Sequence, residues 1–391
     1  MQENIDRFGG DRNRVTLGGQ SAGSVATEAN VVSPIARGLF HRAIFQSIVE
    51  EPTSLSDAEA AGTAFAVAAG CGSRRDGAGA TCLRALTAAQ IVALSGTPST
   101  PASYLVGPIA DGQILPGGFE AAFESGQFNH MPVISGTTSD EKNFLLAVKE
   151  YFSGPPRVPP TESDFQTYVS KTFTGDSPHY PTGTIEEILS RYPLHAYATP
   201  QLAMDAVQTD GLVCTQQRVN RLLARQAPVY AYEFKDQTAP FYFPELPGFQ
   251  PLAYHTSDIQ YLFPLFHGGP LGTPHRLNSQ QEKLSDQMVT AWTNFARTGN
   301  PNGEGNSPWP RYEVEPGKSS FYLSQNIPAL STFTDADFSA AHKCVFGTQP
   351  WSIERLTPRP SAHAFSPGPT DDGALQIQQA KTQRRKENHD V

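Results

Sequence analysis

The sequence predicts an α/β protein, and three sets of residues predict it. Val15-Thr16-Leu17 is a short strand that runs through a glycine-rich turn into Ala22 to Val32, a stretch suited to a helix. Val133-Ile134-Ser135 and Val229-Tyr230-Ala231-Tyr232-Glu233-Phe234 are further strand candidates, the second with the pattern of a half-buried strand. Gln281 to Arg297 has the spacing of an amphipathic helix, with Leu284, Met288, Ala291, Trp292 and Phe295 on one face. Gly299-Asn300-Pro301-Asn302-Gly303 then stops it.

At 391 residues the chain can bury a large core, as one α/β domain or two smaller ones. A formal net charge of −9 argues against nucleic acid as a partner, because backbone phosphates need a basic patch. No apolar run approaches the length of a transmembrane segment, and no charged-then-apolar leader opens the sequence. Met1-Gln2-Glu3-Asn4-Ile5 reads as the middle of an amphipathic helix. Residues 151–200 are rich in Pro, Gly, Thr and Ser and are expected to join helices over the core. Gln216 to Arg225 has helical spacing, with Val219, Leu222 and Leu223 on one face. From Gln349 the apolar content falls, and Lys381-Thr382-Gln383-Arg384-Arg385-Lys386 is a charge run. Residues 349–391 are therefore expected to form a solvated, disordered tail behind a folded region of residues 1–348.

There are four cysteines, Cys71, Cys82, Cys214 and Cys344, and no C-x-x-C pair. That spacing disfavours zinc, and no metal site or cofactor is expected. It permits two disulfides or four buried thiols.

The chemistry starts at Gly18-Gly19-Gln20-Ser21-Ala22-Gly23-Ser24. Gly19-x-Ser21-x-Gly23 matches the G-x-S-x-G turn, in which a serine stands proud of a sheet between a strand and a helix. Flanking glycines let strand and helix approach without a Cβ clash. The N–H of Ala22 would lie at the helix N-terminus, where a developing oxyanion is stabilised. The competing reading is a serine that merely caps the helix.

A nucleophilic serine needs a base, and the base an orienting carboxylate, in the order Ser, Asp or Glu, His. Of ten histidines, His41 follows the serine too closely, and His342, His363 and His389 lie near or in the tail. His255 stands out in Ala253-Tyr254-His255-Thr256-Ser257-Asp258, a loop leading into the apolar Ile259-Gln260-Tyr261-Leu262-Phe263. Asp140 and Glu141 both follow the strand Val133-Ile134-Ser135, where an orienting acid belongs, and pattern alone does not choose between them.

Four stretches in order, "VTLGGQSAGS", "PIADGQILPGGFEAAFESGQFNHMPVISGTTSDEKNF", "YHTSDIQYLF" and "AWTNFARTGNPN", resemble the type-B carboxylesterases, a family of carboxylesterases, cholinesterases and lipases. The resemblance runs from residue 1 to about residue 348. It implies the α/β-hydrolase fold, with a mostly parallel central sheet flanked by helices. It also implies hydrolysis of small-molecule carboxylic esters through an acyl-enzyme, without a cofactor. By motif, Ser21 resembles the nucleophile, Glu141 the acid and His255 the base. Ala22 resembles an oxyanion donor, and Gln20, Ser47 and Asp258 resemble residues around the catalytic ones. Cys71 with Cys82 and Cys214 with Cys344 resemble the family's short and long disulfides. By loop closure these would contribute about 3 and about 5 kcal/mol at most, and both imply an oxidising, secreted or periplasmic setting.

Some positions depart from the pattern. Gln20 replaces the common Glu, which disfavours cationic substrates, and Ile48 replaces a glycine. Asp258 reads equally as a first-turn helix acid. The resemblance places a longer region, with the first strands and an HGG-type loop, before the nucleophile. The chain is therefore expected to be N-terminally truncated and to lack some oxyanion donors. The "HGG" at His267-Gly268-Gly269 follows the base and reads as an ordinary loop. The alternatives are an inactive fragment and a non-catalytic member that binds partner proteins. The aromatic stretch Phe241 to Phe249 could line an acyl pocket or pack in the core.

Overall fold

The computed structural model describes residues 2–47, 51–73, 76–95, 107–172, 185–315 and 317–344. The expected tail at 349–391 and the departure at Ile48 lie outside the described residues.

The predicted strand opens one residue late and runs longer, as β1, Thr16–Gln20. It feeds the helix Ala22–Val32 and then β2, Arg42–Gln46. A minor parallel pair, β3 (Thr53–Ser54) and β4 (Ile109–Ala110), stands apart. The main sheet continues with β5 (Val133–Thr138), β6 (Val229–Phe234), β7 (Phe321–Gln325) and β8 (Ser331–Thr334), in the spatial order β1-β2-β5-β6-β7-β8. Every pair in it is parallel except β7–β8. Parallel neighbours need crossovers, and helices supply them.

Strand β6 corrects the expectation of a half-buried strand, since all six residues are buried. Its alternate side chains enter two different apolar clusters. Val229 and Ala231 join a layer built from Val25, Val31, Phe119, Phe123 and Leu223. Tyr230, Tyr232 and Phe234 join the other, with Leu284, Met288, Ala291 and Phe295 of the predicted amphipathic helix, here Ser279–Thr298. A central parallel strand has helices on both faces, so alternation reports two cores and not core against water. The helical spacing of Gln216 to Arg225 proves to be the end of a much longer helix, Pro200–Ala224. The amphipathic opening is a 3₁₀ turn, Ile5–Phe8, with Phe8 84% exposed, not the middle of an α-helix.

The register aligns Gln20 with Gln46, Gln46 with Gly136, and Gly136 with Tyr232, a row near the carboxyl ends of four strands. Gly136 has a packing reason: a Cβ there would lie 2.2 Å from Cδ1 of Tyr232. Both cysteine pairs implied by the resemblance are disulfides, Cys71–Cys82 and Cys214–Cys344. Near the second, His342 is buried with Nδ1 3.0 Å from Asp210 Oδ1 and Nε2 2.5 Å from Glu233 Oε1. Among the described residues no single helix is long and apolar enough to cross a membrane.

Candidate active site

The turn after β1 holds Ser21 in a constrained backbone. Ser21 adopts φ 57°, ψ −122°, in the positive-φ region that a non-glycine residue occupies only when its surroundings hold it there. What holds it is its N–H, which donates to the Gln46 carbonyl at 2.9 Å, and its carbonyl, which accepts from Ser24 and Val25 of the helix. Ser21 occupies the N-cap position, yet its hydroxyl makes no capping bond, so the capping reading gives way. Ala22 is the first helical residue, so its N–H has no acceptor in a preceding turn of the helix.

The two glycines of the motif differ. A Cβ on Gly19 would lie 2.1 Å from the Gly23 carbonyl oxygen, whereas a Cβ on Gly23 would meet nothing within 4 Å. Only the first is required by packing. Gly19→Ala is accordingly expected to destabilise the chain by about 1–3 kcal/mol, and Gly23→Ala by well under that. Urea denaturation of both variants checks the contrast, and equal losses would refute it.

Asp140 and Glu141, left open by pattern, take different partners. Asp140 pins the loop that carries His255. Its N–H donates to the Ala253 carbonyl at 3.1 Å, and its Oδ2 accepts the Ala253 N–H at 3.2 Å. Glu141 is fully buried and reaches the imidazole itself. Its Oε2 bonds His255 Nδ1, while Oε1 accepts from Ser47 Oγ at 2.6 Å and from the Thr138 N–H at 2.8 Å. Burial pushes this carboxyl up, but His255 and the two Oε1 donors outweigh it and hold it below the ordinary range. An ionised carboxylate only accepts, so Nδ1 carries the proton, and in the neutral ring Nε2 keeps the lone pair.

That lone pair faces the nucleophile turn. His255 Nε2 lies 3.1 Å from Gln20 Nε2, so the Gln20 amide donates to it. The structure thus joins Glu141 to His255 and sets His255 against the residue preceding Ser21. Among the described residues, no hydrogen bond joins Ser21 Oγ to His255.

Asp258 is buried beside this group, not a solvated helix acid. It sits at the N-cap of the helix Ile259–Leu262 but makes no capping bond. Its Oδ2 accepts from Gln46 Nε2 at 2.8 Å and from Tyr232 OH at 3.1 Å, while Oδ1 has no hydrogen-bond partner among the described residues. Burial, reinforced by the Glu141 charge, pushes its carboxyl up to about 6 against the pull of Gln46, Tyr232 and His255. The sign follows. A raised folded value makes the ionised form a burden above pH 6, relieved as pH falls from 6 towards the unfolded value of about 4. Asp258→Asn is expected to stabilise the chain by about 1 kcal/mol at pH 7, the removed charge outweighing one buried unpaired amide N–H. Denaturation at pH 7 and pH 4 checks it. The gain should vanish at pH 4, and a loss at pH 7 would contradict it.

Gln46 and Tyr232 are neighbours of Asp258 that pattern does not disclose. Their only signal is a polar group within an apolar strand. Tyr242 and Phe243 are buried with Ala147, Leu246 and Tyr254 in a cluster that includes the residue preceding His255, so they pack in the core. Among the described residues no group of three or more His, Cys, Asp or Glu is placed to hold a metal ion.

Comparison with known proteins places the chain in a family. The model of the Carboxylesterase family matches residues 1–338. Among curated proteins, the chain is 29% identical over 352 residues to "Cocaine esterase" of Homo sapiens, covering 84% of this chain and 57% of that protein. It is 29% identical to "Acylcarnitine hydrolase" of Mus musculus, covering 79% and 54%. To "Liver carboxylesterase" of Sus scrofa it is 30% identical, covering 81% and 57%. The chain thus spans about half the length of the curated relatives it matches.

Proposed function

The chain belongs to the carboxylesterase family, with the α/β-hydrolase fold that this implies, and from that premise we propose that it hydrolyses small-molecule carboxylic esters with Ser21, His255 and Glu141. The observation that carries the proposal is the bond between the buried Glu141 carboxylate and His255 Nδ1, with His255 Nε2 3.1 Å from Gln20 Nε2, directly before a serine held at positive φ.

His255 Nε2 takes the Ser21 hydroxyl proton as Oγ bonds to the ester carbonyl carbon. The carbonyl oxygen becomes an oxyanion, which the Ala22 N–H and the positive helix end stabilise. The C–O bond to the alcohol then breaks, and Nε2–H returns the proton to the leaving alkoxide, giving an acyl-serine and a free alcohol. Water gives a proton to Nε2 and its oxygen to the acyl carbon. The carboxylic acid leaves and Ser21 regains its proton. Glu141 orients the ring and stabilises the imidazolium without being protonated itself. An uncharged Gln20 beside the nucleophile supports neutral ester substrates over cationic ones. The two disulfides support an oxidising, secreted or periplasmic setting.

Turnover of p-nitrophenyl acetate and butyrate by the 391-residue chain, beside Ser21→Ala, tests this. Hydrolysis by the parent chain alone is expected. Equal background rates in two folded chains would instead favour a non-catalytic member of the family.

A further inference from the structure

The lone pair on His255 Nε2 is the only acceptor that the base offers, and a donor already faces it. Gln20 Nε2 lies 3.1 Å away, and the His255 side chain is 8% exposed, so few waters compete. We infer that Gln20 is a positioning residue that competes with Ser21 for His255 Nε2, parking the base between turnovers. The inference rests on the reading of Ser21 and His255 as nucleophile and base.

Three features carry it. First, the ring has no freedom to serve both partners by tilting. Nδ1 is tied to Glu141, whose other oxygen is held by Ser47 and Thr138, and Asp140 pins the loop behind it. Second, Gln20 ends β1 and Ser21 follows it directly, so a ring bonded to Gln20 lies against the turn that carries the nucleophile. Third, the carboxamide has two faces. Its NH₂ satisfies the neutral ring, and reversed, its oxygen accepts from the Nε2–H of an imidazolium. It can therefore hold the base after either proton transfer. A carboxylate here would do only the second.

One net hydrogen bond is worth about 0.5–1.5 kcal/mol, so parking lowers the fraction of free Nε2 about 2- to 10-fold. The test uses the full chain and its Gln20→Leu and Gln20→Met variants, which keep bulk and lose the donor. A fluorophosphonate labels Ser21 while the ¹⁵N resonance of His255 Nε2 is followed by NMR. The expected result is labelling about 2- to 10-fold faster in both variants, with the Nε2 resonance moved towards that of an unbonded neutral imidazole. An unmoved resonance would overturn the contact itself. A moved resonance with unchanged or slower labelling would overturn the competition while leaving the nucleophile intact. Absence of any label on Ser21 in all three folded chains would overturn the underlying catalytic reading, and this proposal with it.

Discussion

Glu141→Gln is expected to lower kcat/KM for p-nitrophenyl esters by about 10⁴-fold with little effect on the fold. The reason is the way the two carboxylate oxygens are shared. Oε1 accepts two donors, Ser47 Oγ and the Thr138 N–H, while Oε2 accepts one, His255 Nδ1. A glutamine has a single acceptor oxygen, which the two donors claim. Its NH₂ then faces Nδ1 and turns the imidazole into the other tautomer, with the proton on Nε2 and no lone pair for Ser21. The site keeps its shape and loses its base. Ser47→Ala frees Oε1 of one donor and is expected to restore part of the activity lost in Glu141→Gln, because the amide can then reverse more easily. Steady-state kinetics of the single and double variants checks both statements, and a Glu141→Gln chain within tenfold of the parent would refute the first.

His342→Ala is expected to remove about 3–5 kcal/mol of stability at pH 7, the effect of breaking a buried ion pair from one side. The ring lies between Asp210 on the long helix Pro200–Ala224 and Glu233 on β6, and so ties that helix to the sheet. Burial alone would discharge the imidazole, but Glu233 and Asp210 outweigh it and push it up to about 10. Tyr192 OH donates to Asp210 Oδ2 at 2.7 Å, and Lys235 Nζ sits 3.0 Å from Glu233 Oε2, so each carboxylate has a further partner. The folded value lies above the unfolded value of about 6.5. The stabilisation is therefore complete below pH 6.5 and fades as pH rises through about 10. Urea denaturation of parent and variant at pH 6, 8 and 10 should show a gap that narrows with pH. A variant as stable as the parent at pH 6 would contradict it.

Those two residues show what a linear sequence discloses. The strand–turn–helix setting of Ser21 is legible because everything that defines it is local: a strand, a glycine without room for a Cβ, and a helix that begins at the next residue. The loop position of His255 was legible for the same reason. The division of labour between Asp140 and Glu141 was not, because it depends on the Ala253 backbone, more than a hundred residues away. The half-buried reading of β6 failed because strict alternation looks the same whether the second face meets water or another core. Nothing local marks His342, because the carboxylates it bonds are 109 and 132 residues upstream. Gln46 and Tyr232 acquire roles only through the parallel register that sets them beside Asp258. The disulfide pairing followed from the family resemblance and not from cysteine spacing.

The most direct test is chemical. The 391-residue chain and its His255→Ala variant are treated with a fluorophosphonate, digested and mapped by mass spectrometry. One adduct on the peptide bearing Ser21, strongly reduced in the variant, is the outcome that a serine activated by His255 predicts. A folded parent chain left unmodified at Ser21, or modified there equally in both chains, would show that the imidazole does not act on this hydroxyl.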